Sequence, residues 1–343
     1  MIKRPVRVLI VDDSVFFLAV IKKHLSQSPD LEIVGTASNA YEAERRIKEL
    51  RPDVVTIDVE MPGKNGIDFV KETIPVNPLP FVLVSSLNLR VFEALDAGAV
   101  DFVRKPDTSE RGNMESFCNE LASKIKGAAS ATVRYSRSLS VDASGALSIR
   151  PGKLKANILA IGASTGGTET TVDILKRLPA DSPGTLIVQH MPAGFTNMYA
   201  QRVDRSCALS VSEAKNGDRV VRGKALIAPG GFHMTLHKDS HGYYVKCSEG
   251  EKVSGHCPSV NTLFHSVADT AGADAIGLIL TGMGRDGAEG LLHMRNQGAY
   301  TLGQDQESSV VYGMPMEAYK IGAVTTQVPS YQAASAIIGY LNR

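Results

Sequence analysis

The sequence predicts an α/β protein in two parts, on three observations. Short apolar strands alternate with helical patterns from Val6 to about Lys126. A basic stretch rich in Ala, Ser and Gly then interrupts the pattern. A second strand–helix alternation begins at Ile158. Buried apolar strands that alternate with helices form parallel sheets covered on both faces. The expected boundaries are 1–126 for the first domain, 127–155 for a linker and 156–343 for the second domain.

In the first part, "VRVLIV" reads as a buried strand and Ser14 to Ser26 as a helix. "LEIVGTA" is a strand and "NAYEAERRIKEL" a helix. "DVVTID" is a strand, followed by a loop and a helix from Gly66. "PFVLVSS" and "RVFEALDAG" form the next pair, and "DFVRKP" with Met114 to Lys126 the last. Five such units make a flavodoxin-like domain with a five-stranded parallel sheet. The segment from Lys126 to Lys155 has six Lys/Arg against one Asp and scattered apolar residues, which reads as an exposed linker.

In the second part, "ILAIGAS", "GTLIVQH" and "AIGLILTG" are buried strands of a doubly wound, mainly parallel sheet. "KALIAPGGFHMTLH" and "GYYVKCS" read as a β-hairpin around Asp239 to Gly242. Helices are expected at about Thr168 to Leu178, Asn261 to Ala271, Gly287 to Gln297 and Ser330 to Leu341.

Composition narrows the function. A net charge of +1 over 343 residues gives no reason to expect a nucleic-acid partner. No apolar run approaches the roughly 20 residues needed to span a bilayer. The N-terminus passes straight into a strand, unlike a signal peptide. Cys118, Cys207, Cys247 and Cys257 have no C-x-x-C spacing, which argues against structural zinc and fits a reducing cytoplasm.

Three signals stand at strand ends in the first domain: Asp12 and Asp13, Asp58, and Lys105. Strand C-termini of such a sheet converge at the topological switch point. Carboxylates crowded there repel unless a cation joins them, and few ligands with room for water suit Mg2+. A carboxylate beside Mg2+ and a lysine could accept a phosphoryl group. Taken singly, each acid reads as readily as a turn residue or helix cap. "VDDS", "IDVEMPGKNG", "LVSS" and "AGAVDFVRKP" together resemble the receiver domain of bacterial two-component response regulators. The resemblance implies phosphorylation at Asp58 and Mg2+ held by Asp12, Asp13 and Asp58, helped by the backbone carbonyl of Glu60. It also implies that Ser85 and Lys105 support the phosphoryl group. Phe102 departs from the tyrosine of the stand-alone chemotaxis receiver, so an aromatic switch is not carried over.

In the second domain "GASTG", Gly162 to Gly166, fits G-x-S-x-G, which can raise Ser164 on a tight elbow. Glycine-rich strand ends also bind phosphate, but the P-loop lysine and the full G-x-G-x-x-G spacing are missing. His190 ends "TLIVQH", and Asp286 lies in the glycine-rich loop after "IGLILTG". If these strands are parallel, Ser164, His190 and Asp286 meet at one sheet edge. There a histidine can deprotonate a serine while a carboxylate fixes the imidazole. The glycines near Asp286 leave N–H groups for an oxyanion. His233 and His256 are rival bases, and Asp286 could instead cap the helix from Gly287. The order Ser…His…Asp matches no common hydrolase order.

"IGASTGG", "VQHMP", "IAPGGFHM", "CPSVN" and "LTGMGRDGAEGL", after a receiver, resemble the chemotaxis protein-glutamate methylesterase family over nearly the whole chain. That resemblance implies a Ser164–His190–Asp286 triad, with support from Thr165 and an oxyanion donor in the Met283 N–H. It also implies hydrolysis of glutamate γ-methyl esters, with glutamine deamidation, on a methylated chemoreceptor cytoplasmic domain. A chemotaxis histidine kinase would be the phosphodonor. The ester chemistry needs no cofactor. One alternative, a DNA-binding regulator, would need a helix-turn-helix and a basic face, and the second half offers strand-end motifs instead. Another, a regulatory docking module on a degenerate hydrolase, is opposed by the complete Ser–His–Asp set and is tested by turnover.

Overall fold

The computed structural model describes residues 4–86, 90–106, 113–131, 147–150 and 154–343. The chain divides into two compact units, residues 1–139 and 140–343.

The first unit alternates β1 (Val6–Val11), α1 (Val15–Leu25), β2 (Leu31–Ala37), α2 (Ala40–Leu50), β3 (Val54–Asp58), α3 (Gly66–Thr73), β4 (Phe81–Ser85), α4 (Val91–Asp96), β5 (Asp101–Arg104) and α5 (Asn113–Ala128). The five strands pair in parallel in the order β2-β1-β3-β4-β5. β3 and β4 are buried at every residue, as expected for strands covered on both faces. Side-chain caps set several helix starts: Ser14 accepts from Phe17 N, Asn39 from Glu42 N and Asn65 from Asp68 N. The order in which strands are added reverses at β1, so Asp12, just beyond β1, and Asp58, the last residue of β3, stand at the ends of neighbouring parallel strands.

The second unit starts with β6 (Ile158–Ala163), α6 (Gly167–Leu175), β7 (Gly184–Gln189), α7 (Phe195–Asp204), β8 (Ser210–Glu213) and β9 (Lys224–Ile227). The hairpin β10 (His233–Asp239) and β11 (Gly242–Ser248) follows, then α8 (Val260–Ala271), β12 (Ala275–Ile279) and α9 (Ala288–Asn296). β13 (Tyr300–Gln304), α10 (Met314–Lys320), β14 (Thr326–Val328) and α11 (Ser330–Leu341) complete it. Seven strands pair in parallel in the order β14-β13-β12-β6-β7-β9-β8. The core packs α8, α9 and α10 with the hairpin against one face, through Phe264, Leu263, Leu236, Met294 and Met314.

The structure differs from the sequence expectation in three places. "KALIAPGGFHMTLH" is not one hairpin arm: Lys224–Ile227 joins the main sheet, and only His233–Asp239 pairs with β11. The break falls at Pro229 and Gly230, where the added Cβ of any other residue at 230 would lie 2.5 Å from Ala193 N. Five elements lacked a sequence signal: α7, β8, β13, α10 and β14. Three are short, at four residues for β8, seven for α10 and three for β14, too brief to show a period. The third difference concerns the expected linker at 127–155. Residues 132–146 and 151–153 of it lie outside the described residues. Its later part packs instead of standing free: Ile149 and Leu154 are buried, and Asn342 beyond α11 bonds both Arg150 N (2.8 Å) and Ser148 O (3.0 Å). Among the described residues no helix is long and apolar enough to cross a membrane.

Candidate active site

Parallel pairing brings the three expected residues to one edge. β6 lies between β7 and β12, with Gly162 opposite both Val188 and Ile279. The ladder continues beyond the strands. His190 N donates to Ala163 O (3.0 Å), and Ser164 N donates to Thr281 O (3.0 Å). Ser164 and His190 therefore leave adjacent strands at the same level, and the loop after β12 returns Asp286 to them.

Small residues make the serine turn. Gly166 sits at φ +75°, which favours glycine, and Val310 fills the space a Cβ would take. The Ser164 carbonyl accepts from Gly167 N (2.7 Å) and from the Gln189 side-chain amide (2.8 Å). A Cβ on Gly282 would come within 2.7 Å of Ser164 Cβ and 2.3 Å of Met314 Sδ. Thr165 is buried beside the serine, and its carbonyl accepts from the Thr281 hydroxyl (3.0 Å). Met283 is half-buried in the loop before Asp286, and among the described residues its N–H has no acceptor.

His190 Nε2 lies 2.8 Å from Asp286 Oδ2, both side chains buried. With Nε2–H donating to the carboxylate, Nδ1 carries the lone pair. Among the described residues Nδ1 is buried without a hydrogen-bond partner. Asp286 does not cap the helix after it, since the N-cap of α9 is Gly287 and that helix has no side-chain cap. It sits instead at the N-terminus of α8. Oδ2 also accepts from Val260 N (2.7 Å), and Oδ1 from the Ser259 hydroxyl (2.8 Å) and Asn261 N (3.1 Å). Burial pushes the Asp286 carboxyl up, but His190, Asn261 N–H and the Ser259 hydroxyl outweigh it and hold the group below its ordinary value. The two rival histidines part ways. His233 has both nitrogens engaged, Nε2 with Glu251 O (2.8 Å) and Nδ1 accepting from Ser259 N (3.2 Å). His256 lies flat on the His190 ring, with centroids 3.7 Å apart and planes at 10°.

Gln189, Ser259 and Asn261 were not singled out from sequence. Ser259 carried a signal, a serine just before a helix, but which carboxylate its helix would meet depended on the packing of α8.

In the first unit Asp12, Asp13 and Asp58 converge within 4.8 Å. Lys105 Nζ pairs with Asp58 Oδ2 (2.6 Å) and Asp12 Oδ2 (2.9 Å). Burial raises the Asp58 carboxyl above its ordinary value and the Asp12 charge adds to this, despite Lys105 and the Glu60 N–H bonded to it at 3.1 Å. Burial alone would lower Lys105, but its hydrogen bonds and pairing with Asp58 and Asp12 raise it. Three carboxylates converge there and one ammonium, Lys105, bonds two of them, so the cluster is short of positive charge. This donor set fits a hard, oxygen-loving divalent cation. Ser85 adds a fully buried hydroxyl without a partner among the described residues. Phe102 is buried edge-on against Phe92, at 6.4 Å and 73°.

Comparison with known proteins agrees with both units. Residues 8–113 match the response regulator receiver domain family, and residues 159–337 match the CheB methylesterase family. The protein-glutamate methylesterase/protein-glutamine glutaminase 2 of Syntrophomonas wolfei is 48% identical over 343 residues, 99% of each chain. The protein-glutamate methylesterase/protein-glutamine glutaminase of Syntrophotalea carbinolica is 44% identical over 354 residues, covering 99% of this chain and 98% of that one. The crystal structure of the Thermotoga maritima CheB methylesterase catalytic domain is 33% identical with a TM-score of 0.53, covering 54% of this chain and 98% of that one. Full-length similarity and a matching arrangement of domains lead to one conclusion: this chain belongs to the protein-glutamate methylesterase/protein-glutamine glutaminase family, an enzyme with a response-regulator receiver domain ahead of a CheB methylesterase domain.

Proposed function

We propose that the protein hydrolyses glutamate γ-methyl esters on the cytoplasmic helices of chemoreceptors, and deamidates their glutamines, through Ser164, His190 and Asp286. The observation that carries this reading is the His190–Asp286 bond of 2.8 Å, with Nδ1 unpartnered among the described residues at the edge where Ser164 follows β6. Nδ1 takes the Ser164 proton as Oγ bonds to the ester carbonyl carbon. The Met283 N–H stands as donor to the oxyanion, and Thr165 supports the serine turn. The ester C–O bond then breaks, and the leaving oxygen takes the Nδ1 proton and departs as methanol. Water, deprotonated at Nδ1, releases the acyl group as a glutamate carboxyl and restores Ser164. With a glutamine substrate the leaving group is ammonia. Asp286, held by three donors at the N-terminus of α8, stabilises the imidazolium formed in each half-reaction.

The receiver is proposed to control this reaction through phosphorylation of Asp58 by a chemotaxis histidine kinase. Asp12, Asp13 and Asp58, with the Glu60 carbonyl, would hold Mg2+, which neutralises phosphoryl charge when bound. Lys105 and the Ser85 hydroxyl face that group. The proposal includes two domains, expected at 1–126 and 156–343, with the second extending back to about residue 147 where Ser148 and Arg150 bond Asn342, and a cytoplasmic location. The decisive test is methanol release from methylated receptor, with and without a small phosphodonor. Ser164→Ala should abolish release while still accepting phosphate, and methanol release by that variant at the wild-type rate would refute the nucleophile.

A further inference from the structure

His256 is the one rival base that the structure places beside the reaction. Its ring covers that of His190 face to face, 3.7 Å between centroids and 10° between planes. Quadrupoles favour offset or edge-on contacts between uncharged rings, so a near-parallel stack at this distance needs a backbone that imposes it.

That backbone is a tight turn. Val253 and His256 exchange two backbone hydrogen bonds, each 3.0 Å. Between them Ser254 (φ +52°) and Gly255 (φ +85°) both lie in the left-handed region, the signature of a two-residue type I′ turn. A serine in that region carries a steric cost that neighbouring contacts must offset. The Ser254 hydroxyl accepts from the Asn261 side-chain amide (3.4 Å). Asn261 in turn gives its N–H to Asp286 and accepts from Gly290 N (2.8 Å) on α9. A single segment, 253–261, thus supplies the ring stacked on His190 and the three donors that hold Asp286.

The Asp286 bond alone leaves His190 a pivot, because one hydrogen bond does not stop an imidazole tilting about its Cβ–Cγ axis. A flat surface against the ring stops it. We propose that His256 is a positioning residue. Its ring is the platform that holds the His190 imidazole in the plane where Nε2 meets Asp286 and Nδ1 stays aligned for proton transfer. This rests on the reading of His190 as the base.

The test uses full-length protein with phosphodonor and methylated receptor. His256→Ala should lower kcat about 10- to 100-fold, with KM within about twofold, the pattern of a misaligned base rather than weakened binding. His256→Phe keeps a flat face and should recover kcat to within about fivefold of wild type. His256→Leu fills the volume without a flat face, so it should track the Ala variant and serves if that variant folds poorly. Ring NMR of labelled histidine gives a readout independent of turnover. The His190 Nε2–H signal should be sharp in wild type and His256→Phe, and broadened in His256→Ala and His256→Leu. A kcat within twofold of wild type for both Ala and Leu variants overturns the proposal. So does a His256→Phe variant as slow as Ala at equal Tm. His190→Ala is run alongside: wild-type turnover there would instead refute the base itself.

Discussion

At the scale of single residues, the active edge leaves little room for change. Gly282 illustrates this, because a methyl group there meets Met314 Sδ and the Cβ of Ser164. Gly282→Ala should push the serine off its line and lower kcat about a hundredfold, while binding of a non-hydrolysable receptor peptide is retained. Equal kcat in a steady-state methanol assay would show that the serine turn relaxes freely. Asp286→Asn keeps the shape but turns an amide group toward the donors of α8. The loss in kcat should approach the ~10⁴-fold seen when a triad aspartate is replaced this way. Asp286 also links stability to pH. Its folded pKa is depressed, so its contribution is present above the unfolded value of about 4 and is lost as pH falls through the lower folded value. Acid unfolding of the second unit should therefore be displaced in Asp286→Asn, with the difference from wild type shrinking only below about pH 4. Asp58 has the opposite sign. Its folded pKa is raised, so ionisation opposes folding as pH climbs past about 4. Asp58→Asn should raise the Tm of the receiver transition at neutral pH without Mg2+, and the gain should vanish in acid. A lower Tm at neutral pH would mean that the Lys105 pair outweighs the crowding of carboxylates.

Among elements, α8 has the widest influence. Its first turn caps itself through Ser259, whose hydroxyl accepts from Thr262 N (3.3 Å) and donates to Asp286 (2.8 Å). Three donors from that turn meet one buried carboxylate, a natural arrangement at the positive end of a helix. Ser259→Ala removes a cap and one bond to a charged group. The expected cost is about 1–3 kcal/mol in urea unfolding, together with roughly a tenfold loss of kcat. A stability loss with unchanged kcat would separate capping from catalysis. Gly162 shows the same helix from below: a Cβ there would lie 2.2 Å from Val260 Cγ1, so α8 packs against β6 itself. The strand that leads into Ser164 and the helix that binds Asp286 are therefore held as one piece.

For the whole molecule the question is why a receiver and an esterase share a chain. Joining them keeps each at a high effective concentration around the other, so a weak interaction suffices for control. In the proposed regulation, phosphorylation of Asp58 would add a charge of about −1.5 to −2, and a coupling of ~1–3 kcal/mol would change activity from about 5- to 150-fold. The free catalytic fragment should therefore outpace the unphosphorylated intact chain, and phosphodonor should accelerate the intact chain alone. The fragment should start before residue 147, because Ile149 is buried and Arg150 and Ser148 bond Asn342. A fragment no faster than the unphosphorylated chain would leave activation or receptor targeting as the receiver's role.

What the sequence by itself determined is local. Strand ends are legible because a buried parallel strand is a short apolar run that stops at a polar residue. Asp12, Asp58, Ser164 and His190 each follow such a run. Parallel pairing of β6, β7 and β12 was an inference from alternation, and the register bears it out. The acid cluster was equally legible, since Asp12, Asp13 and Asp58 meet at the switch point that strand order requires. Only the tertiary structure decided the rest. Asp286 stands just before α9, yet it binds the N-terminus of α8, because the loop after β12 turns it toward a helix that begins 26 residues earlier. His233, in the hairpin, and His256, in a loop, both stood as rival bases, but His256 stacks on His190 and His233 is consumed by Glu251 and Ser259. Such choices depend on contacts between residues far apart in the chain, and no local period or spacing encodes them.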